Sequence, residues 1–290
     1  MSFQSVPRDR PGELAPLTPA VGPARGLFDT YVTWMRLAIQ EQFQYRVAQY
    51  FYMLGMVAEP VIYLVVWSTI ARSSGGSVNG ISPGEFAAYY IVWTLVRNMN
   101  IVFTPFGWEW RIREGQLSGQ LLRPLHPLHY DLAWFAGWKV VSITLWLPIA
   151  AGLTLVFHPT LDVSAPEVAV FVVAIWGAYL IRTMFLSLLG MVTFWTTRVG
   201  AIFDLYFTLE LLLSGRLVPL KLMPDWVERL ADFLQFKWTF GYPIEALVGD
   251  LSTRSLLLGL GAQALWTAIG LALFSLAWRQ AIKRYSAVGN

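Results

Sequence analysis

The sequence predicts an all-α, polytopic integral membrane protein, and three observations carry that reading. Of its 290 residues, 56% are hydrophobic and only 13% are charged, whereas a soluble domain carries roughly a quarter charged residues. The mean hydropathy is +0.51. Six windows reach the ~20 predominantly apolar residues that a helix needs to cross a bilayer.

Taken in order, residues 1–26 are rich in Pro, Gly and Ala and read as a disordered cytoplasmic tail without the apolar core of a signal peptide. Residues 27–46 mix Phe28, Tyr31, Trp34, Leu37 and Phe43 with Asp29, Arg36, Glu41 and Arg46, which suits a helix lying at the water–lipid interface. The six spans are expected at 48–70, 85–106, 132–157, 167–195, 201–220 and 256–278. The second is broken by Arg97, Asn98 and Asn100. Between the fifth and sixth, residues 214–250 are too polar to span and too apolar for a solvated loop. Trp226, Leu230, Phe233, Leu234 and Trp238 recur there at helical spacing after Pro224, which predicts short amphipathic helices at the outer membrane face starting with Pro224 at the first helical position, the alternative being a surface loop with scattered aromatics.

Six spans put both termini on one side. That side carries twelve Lys and Arg, from Arg8 to Arg284, against six opposite, Arg72, Arg216, Lys221, Arg229, Lys237 and Arg254. The bias predicts cytoplasmic termini and a cytoplasmic segment Trp108–Pro127. In that segment Glu109 and Arg113 have the spacing of a helical ion pair. Gly115 and Gly119 loosen the helix, and Pro124 and Pro127 end it. Its Ile112, Leu117, Leu121 and Leu122 need covering by lipid or by a partner protein.

Charges inside the spans are costly unless paired or hydrated. Glu59 with Arg97, and Arg182 with Glu210, are the expected intramembrane pairs. They either fix helix register or line a path. Ala264, Ala268 and Ala272 form a small-residue stripe on the sixth span, suited to close helix contact within one subunit or between two.

Several chemistries find no support. There is no Cys, so thiolate catalysis and Cys-ligated metals are excluded. The four lysines, Lys139, Lys221, Lys237 and Lys283, do not sit in a phosphate loop, and no cofactor site is expected in this chain. His126, His129 and Asp131 make only a thin candidate metal site, so metal-ligating residues are expected to be none, and catalytic residues likewise. A basic patch for nucleic acid is missing as well. A membrane-embedded enzyme or a secondary transporter remains the alternative; the latter would show two similar halves, and no internal repeat is evident.

The order of elements resembles the permease subunits of ABC-2 type exporters. The likeness rests on IREGQLSGQLLRP at 112–124 and SGRLVPLKLMPDWVERLADFL at 214–234 running toward Pro243, and it covers about residues 27–285. Where many relatives carry Leu-Pro-Phe after the outer helix, this chain has Leu234, Gln235 and Phe236, which leaves the end of that helix open. The resemblance implies a multi-pass permease of a prokaryotic inner (plasma) membrane, itself no enzyme, that moves substrate outward. ATP and Mg would be bound by separate ABC ATPase subunits, and a second permease, a copy or a relative, would complete the path within membrane lipid. It implies that Arg113, Gly115, Leu117, Leu121, Leu122, Arg123 and Pro124 couple the chain to the ATPase. It also implies that Gly215, Pro219, Pro224, Trp226 and Pro243 belong to an outer gate.

Overall fold

The computed structural model describes residues 22–285, and every regular element among them is helical. In chain order the α-helices are α1 (Pro23–Gln44), α2 (Arg46–Ser73), α3 (Pro83–Met99), α4 (Pro105–Arg113), α5 (Gln116–Leu121), α6 (Pro127–Phe157), α7 (Ala165–Met191), α8 (Gly200–Leu213), α9 (Asp225–Phe233), α10 (Gly241–Val248) and α11 (Thr253–Ala281). Proline stands in the first turn of α1, α3, α4, α6 and α7, where its fixed φ suits the helix and its missing N–H costs nothing. Ser82 with Glu85 and Ser164 with Glu167 add reciprocal caps to α3 and α7.

Residues 1–21 of the expected tail lie outside the described residues, but 23–26 do not belong to a tail. They form the first turn of α1, started by Pro23 and tied by a Thr30 hydroxyl that donates to the Gly26 carbonyl at 2.7 Å. The helix runs along α6. At Gly137 a Cβ would stand 2.6 Å from the Met35 carbonyl, so only glycine lets the two backbones approach. Phe28, Leu37 and Phe43 remain exposed on the other side.

Among the described residues, four helices are long and apolar enough to cross a membrane: Phe51–Ser73, Pro127–Phe157, Ala165–Phe194 and Thr253–Arg284. They match the first, third, fourth and sixth windows. The second and fifth windows differ from expectation. α3 has 17 residues and α8 has 14, about 25 and 21 Å at 1.5 Å per residue. The second window ran through Ile101–Thr104, where the backbone leaves the helix, and the fifth is cut by a turn beginning at Ser214. Apolar content alone cannot register either break.

α3 is the middle of the structure. From Phe86 to Met99 all its side chains but Arg97 are buried, as expected of a helix apolar on every face. Around it pack Met56 and Leu64 of α2, Ile149 and Leu153 of α6, Phe171 and Ile175 of α7 and Ile244 of α10. Trp67 stacks on Phe86 at 5.0 Å and Tyr63 on Tyr90 at 5.1 Å. α7 packs against α11, α10 and α4 on its other sides. The α11 face used for this carries Gly259, Gln263, Gly270 and Phe274, whereas Ala264, Ala268 and Ala272 point outward and are exposed.

Candidate functional site

The break after α3 leaves backbone carbonyls that the helix cannot satisfy, and side chains from distant helices fill it. Lys139 of α6, fully buried, donates to the carbonyls of Asn98 at 3.4 Å and of Ile101. The Asn100 amide donates to the Val96 carbonyl at 3.0 Å and to that of Thr239 at 2.6 Å. Arg182 of α7 donates to the Asn100 carbonyl and grips Glu210 of α8 with two bonds of 2.8 Å. Non-helical backbone is tolerated at membrane depth only where protein supplies its partners. Here it does, so the expected Arg182–Glu210 pair also holds the break open.

Glu59 and Arg97 also meet, at 2.7 Å, but with their side chains about a third exposed, 33% and 31%. Arg97 also lines a cavity of about 370 Å³, together with Tyr52, Met56, Arg182, Arg216 and Phe240 among others. One wall of the cavity is a turn that α3 holds from one face. The Tyr89 hydroxyl donates to the Gly215 carbonyl at 2.7 Å, Trp93 Nε1 to that of Arg216 at 2.9 Å, and Tyr90 to that of Leu217 at 3.3 Å. Gly215 has φ +79°, and a Cβ there would meet Gly241 Cα and the Tyr89 hydroxyl, each at 3.2 Å. The Ser-Gly pair at 214–215 is thus the sequence mark of a tight turn pressed into the bundle.

Of the residues expected in a gate, Gly215 and Pro219 shape this turn, and Pro243 is buried in α10. Pro224 is the cap preceding α9 rather than its first residue. α9 ends at Phe233, so Leu234 and Trp238 are outside the helix they were expected to continue. Trp226, Leu230 and Phe233 make an exposed apolar face. At the departure from the family pattern, the buried Gln235 amide donates to the Tyr206 hydroxyl at 2.8 Å, which ties the end of α9 to α8.

The segment Trp108–Pro127 is two helices, not one. Gly115, with φ +68°, turns the chain between α4 and α5. Arg111 of α4 meets Asp131 of α6 through two bonds of 2.9 and 2.8 Å, with the side chains only 5% and 2% exposed. Its guanidinium also lies over the rings of Phe103 at 4.0 Å and Trp108 at 4.8 Å. Arg113 pairs with Glu109 at 2.9 Å, as the spacing indicates, and donates to the Thr197 carbonyl. The Tyr285 hydroxyl donates to the Gly115 carbonyl at 3.2 Å.

This anchoring corrects one expected contact. Leu117 is fully buried within the chain, whereas Leu122 is 89% exposed. Arg123, Pro124 and Gly119 are exposed beside it, and Leu121 and Ile112 are half-buried. The exposed tip is therefore Leu122–Arg123–Pro124. The groups of the thin metal site are engaged elsewhere: Asp131 by Arg111, His129 Nδ1 by the Tyr31 hydroxyl at 2.8 Å, and His126 Nδ1 by the Leu128 N–H at 3.1 Å. The His126 ring lies 4.3 Å from that of Trp278. Burial first, and then the charge of His129, push the His126 imidazole down to about 4.

Sequence reasoning missed Lys139, the Arg111–Asp131 pair and the place of Arg216. For Lys139 a signal existed, a lone lysine inside the apolar run GWKVVSITLW. An ionisable residue so placed invites a search for its partners. For the other two there was none: Arg111 and Asp131 lie in polar stretches where a charge is ordinary, and Arg216 lies at the end of an apolar window, where a charge is expected to face water.

No curated protein matches the chain. A family model described as ABC-2 family transporter protein matches residues 57–289, most of the sequence, and the chain belongs to that family.

Proposed function

We propose that this ABC-2 family protein is the transmembrane permease of an exporter driven by separate ABC ATPase subunits, which bind ATP and Mg. The observation that carries the reading is the mechanical continuity from an exposed tip to the buried centre. Leu122–Arg123–Pro124 stands free at the end of α5. α4 behind it is fixed to α6 by the Arg111–Asp131 pair and to the α7–α8 link by Arg113. α4 then leads through Ile101–Thr104 into α3, from which the turn at 215–217 hangs.

In this reading the ATPase docks on the tip, and its rigid-body movement passes along α4 to the break. There α3 shifts relative to α7 and α8, and the 214–250 segment opens as the outer gate, with Gly215, Pro219, Pro224, Trp226 and Pro243 as its parts. Arg113, Gly115, Leu121, Leu122, Arg123 and Pro124 form the coupling element; Leu117 holds it in shape. α3 and α8 complete a six-span topology, α3 by continuing through its break into α4 and α8 by leading into the re-entrant turn. The Lys and Arg bias supports cytoplasmic termini in an inner membrane, with α1 at the interface. The exposed Ala264, Ala268 and Ala272 and the outward apolar faces suit lipid and a second permease.

Isolation of the chain from its native membrane in mild detergent, with mass spectrometry of what stays bound, tests this. A co-isolated protein with the sequence G-x-x-x-x-G-K-[ST] is expected. A chain that remains alone in detergent and in lipid nanodiscs would contradict it.

A further inference from the structure

The cavity against α2, α3, α7 and the 214–217 turn has a charge imbalance that the proposed transport path does not explain by itself. Three of its lining residues are arginines, Arg97, Arg182 and Arg216. Two have carboxylate partners: Arg182 donates to both Glu210 carboxylate oxygens and to the Asn100 carbonyl, and Arg97 meets Glu59. Arg216 has no ion pair among the described residues; its guanidinium lies 5.7 Å from the centre of the Phe240 ring. The charges acting on it are those of Arg182, Glu210, Arg97 and Glu59. With Arg216 itself these five groups sum to one positive charge. Lys139, which also acts on Arg182, has its ammonium engaged by the Asn98 and Ile101 carbonyls and is not among the lining residues.

The position of Arg216 is built rather than incidental. Its carbonyl is held by Trp93, its N–H donates to the Ser214 hydroxyl at 3.2 Å, and the neighbouring Gly215 carbonyl is held by Tyr89. The backbone is fixed so that the side chain enters the cavity from a turn pressed into the bundle. Beside it the lining is apolar, with Phe51, Gly55, Met56, Ile101 and Phe240. Phe51 and Leu54 continue that apolar surface outward on α2, at 72% and 64% exposure. Next to the charge there is thus a route for a hydrocarbon chain.

We propose that this cavity binds the acidic headgroup of an amphipathic molecule, such as a phosphodiester or carboxylate. Arg216 is the primary contact, Arg97 turns from Glu59 to become the second, and the apolar part runs over Phe51 and Leu54 of α2. A guanidinium fork matches two oxygens of such a group. The guanidinium of Arg216, which has no carboxylate partner among the described residues, favours an anionic group. Glu59 competes with the ligand for Arg97 and so tunes affinity. The proposal rests on the transporter reading for its meaning as a substrate site, but binding itself needs no ATPase.

The test uses the full chain in zwitterionic detergent with three probes, phosphatidylglycerol, phosphatidylcholine and inorganic phosphate, read by native mass spectrometry and by thermal shift. Phosphatidylglycerol is expected to bind and raise the melting temperature. Arg216→Gln should weaken it tenfold or more, Arg216→Lys should restore part, and Glu59→Gln should tighten it. Equal binding of phosphatidylcholine, or unchanged affinity in Arg216→Gln, would overturn the anion site. Equal protection by inorganic phosphate would overturn the amphipathic ligand. If Arg216→Gln does not fold, Glu59→Gln decides, and unchanged affinity there sinks the proposal. An ATPase that co-isolates while the anion fails to bind defeats this site alone; a bound anion without an ATPase defeats the permease reading alone.

Discussion

Two arginine–carboxylate pairs in this molecule have opposite characters. Arg111–Asp131 is bidentate, lies against the rings of Phe103 and Trp108, and is nearly sealed. Glu59–Arg97 meets at 2.7 Å with both partners about a third exposed, and its arginine lines the cavity. The first is held by two hydrogen bonds out of reach of solvent, so it fixes where α4 stands on α6. The second keeps capacity in reserve and can exchange its partner. The same residue types therefore serve rigidity near the exposed tip and adaptability near the cavity, and burial decides which.

The largest effect that would break this contrast comes from the sealed pair. Removing one partner of a buried pair leaves an uncompensated charge and costs about 3–5 kcal/mol, so Arg111→Ala or Asp131→Ala should lower the melting temperature in detergent sharply or abolish insertion. A small loss would mean that the pair is not sealed. Next comes the coupling segment. Truncating a buried leucine costs about 2–5 kcal/mol, and Leu117→Ala should destabilise accordingly. An exposed substitution stays within about 0.5 kcal/mol, so Leu122→Asp should keep the melting temperature and lose ATPase binding in a pull-down. Equal stability losses at 117 and 122 would erase the distinction.

For the open pair the expected stability effect is smaller, about 1 kcal/mol or less after solvent screening. In a Glu59→Gln, Arg97→Gln cycle the two losses should be less than additive, and strict additivity would show that the pair is not formed. A pH effect is expected at His126. Its imidazole is held down to about 4 by burial, against about 6.5 when unfolded. The unfolded chain thus binds the extra proton between these values, so the stabilisation is full above about pH 6.5 and is lost as pH falls toward 4. His126→Gln should flatten the thermal-shift profile in that window, and an unaltered profile would place the ring in water.

Much of this was legible in the sequence where one helix or one apolar window contains the information. Glu109–Arg113 follows from i, i+4 spacing, and four of the windows coincide with long helices. The Arg182–Glu210 pair was legible because two charges in apolar windows have few alternatives. What could not be read was the break at Ile101–Thr104. Its stability depends on Lys139 and Arg182, residues that only the tertiary packing brings to the carbonyls of 98, 100 and 101. Leu117 misled for a related reason. An apolar residue in a polar segment must be covered, but periodicity does not say whether a partner or the chain itself covers it.

The central claim is that the tip at Leu122 receives the ATPase while Leu117 stays inside. A photo-crosslinking side chain placed singly at positions 122 and 117, irradiated in native membranes and analysed by mass spectrometry, tests it directly. The account predicts an adduct to a phosphate-loop protein from position 122 and none from position 117. Adducts from 117, or none but lipid from 122, would contradict it.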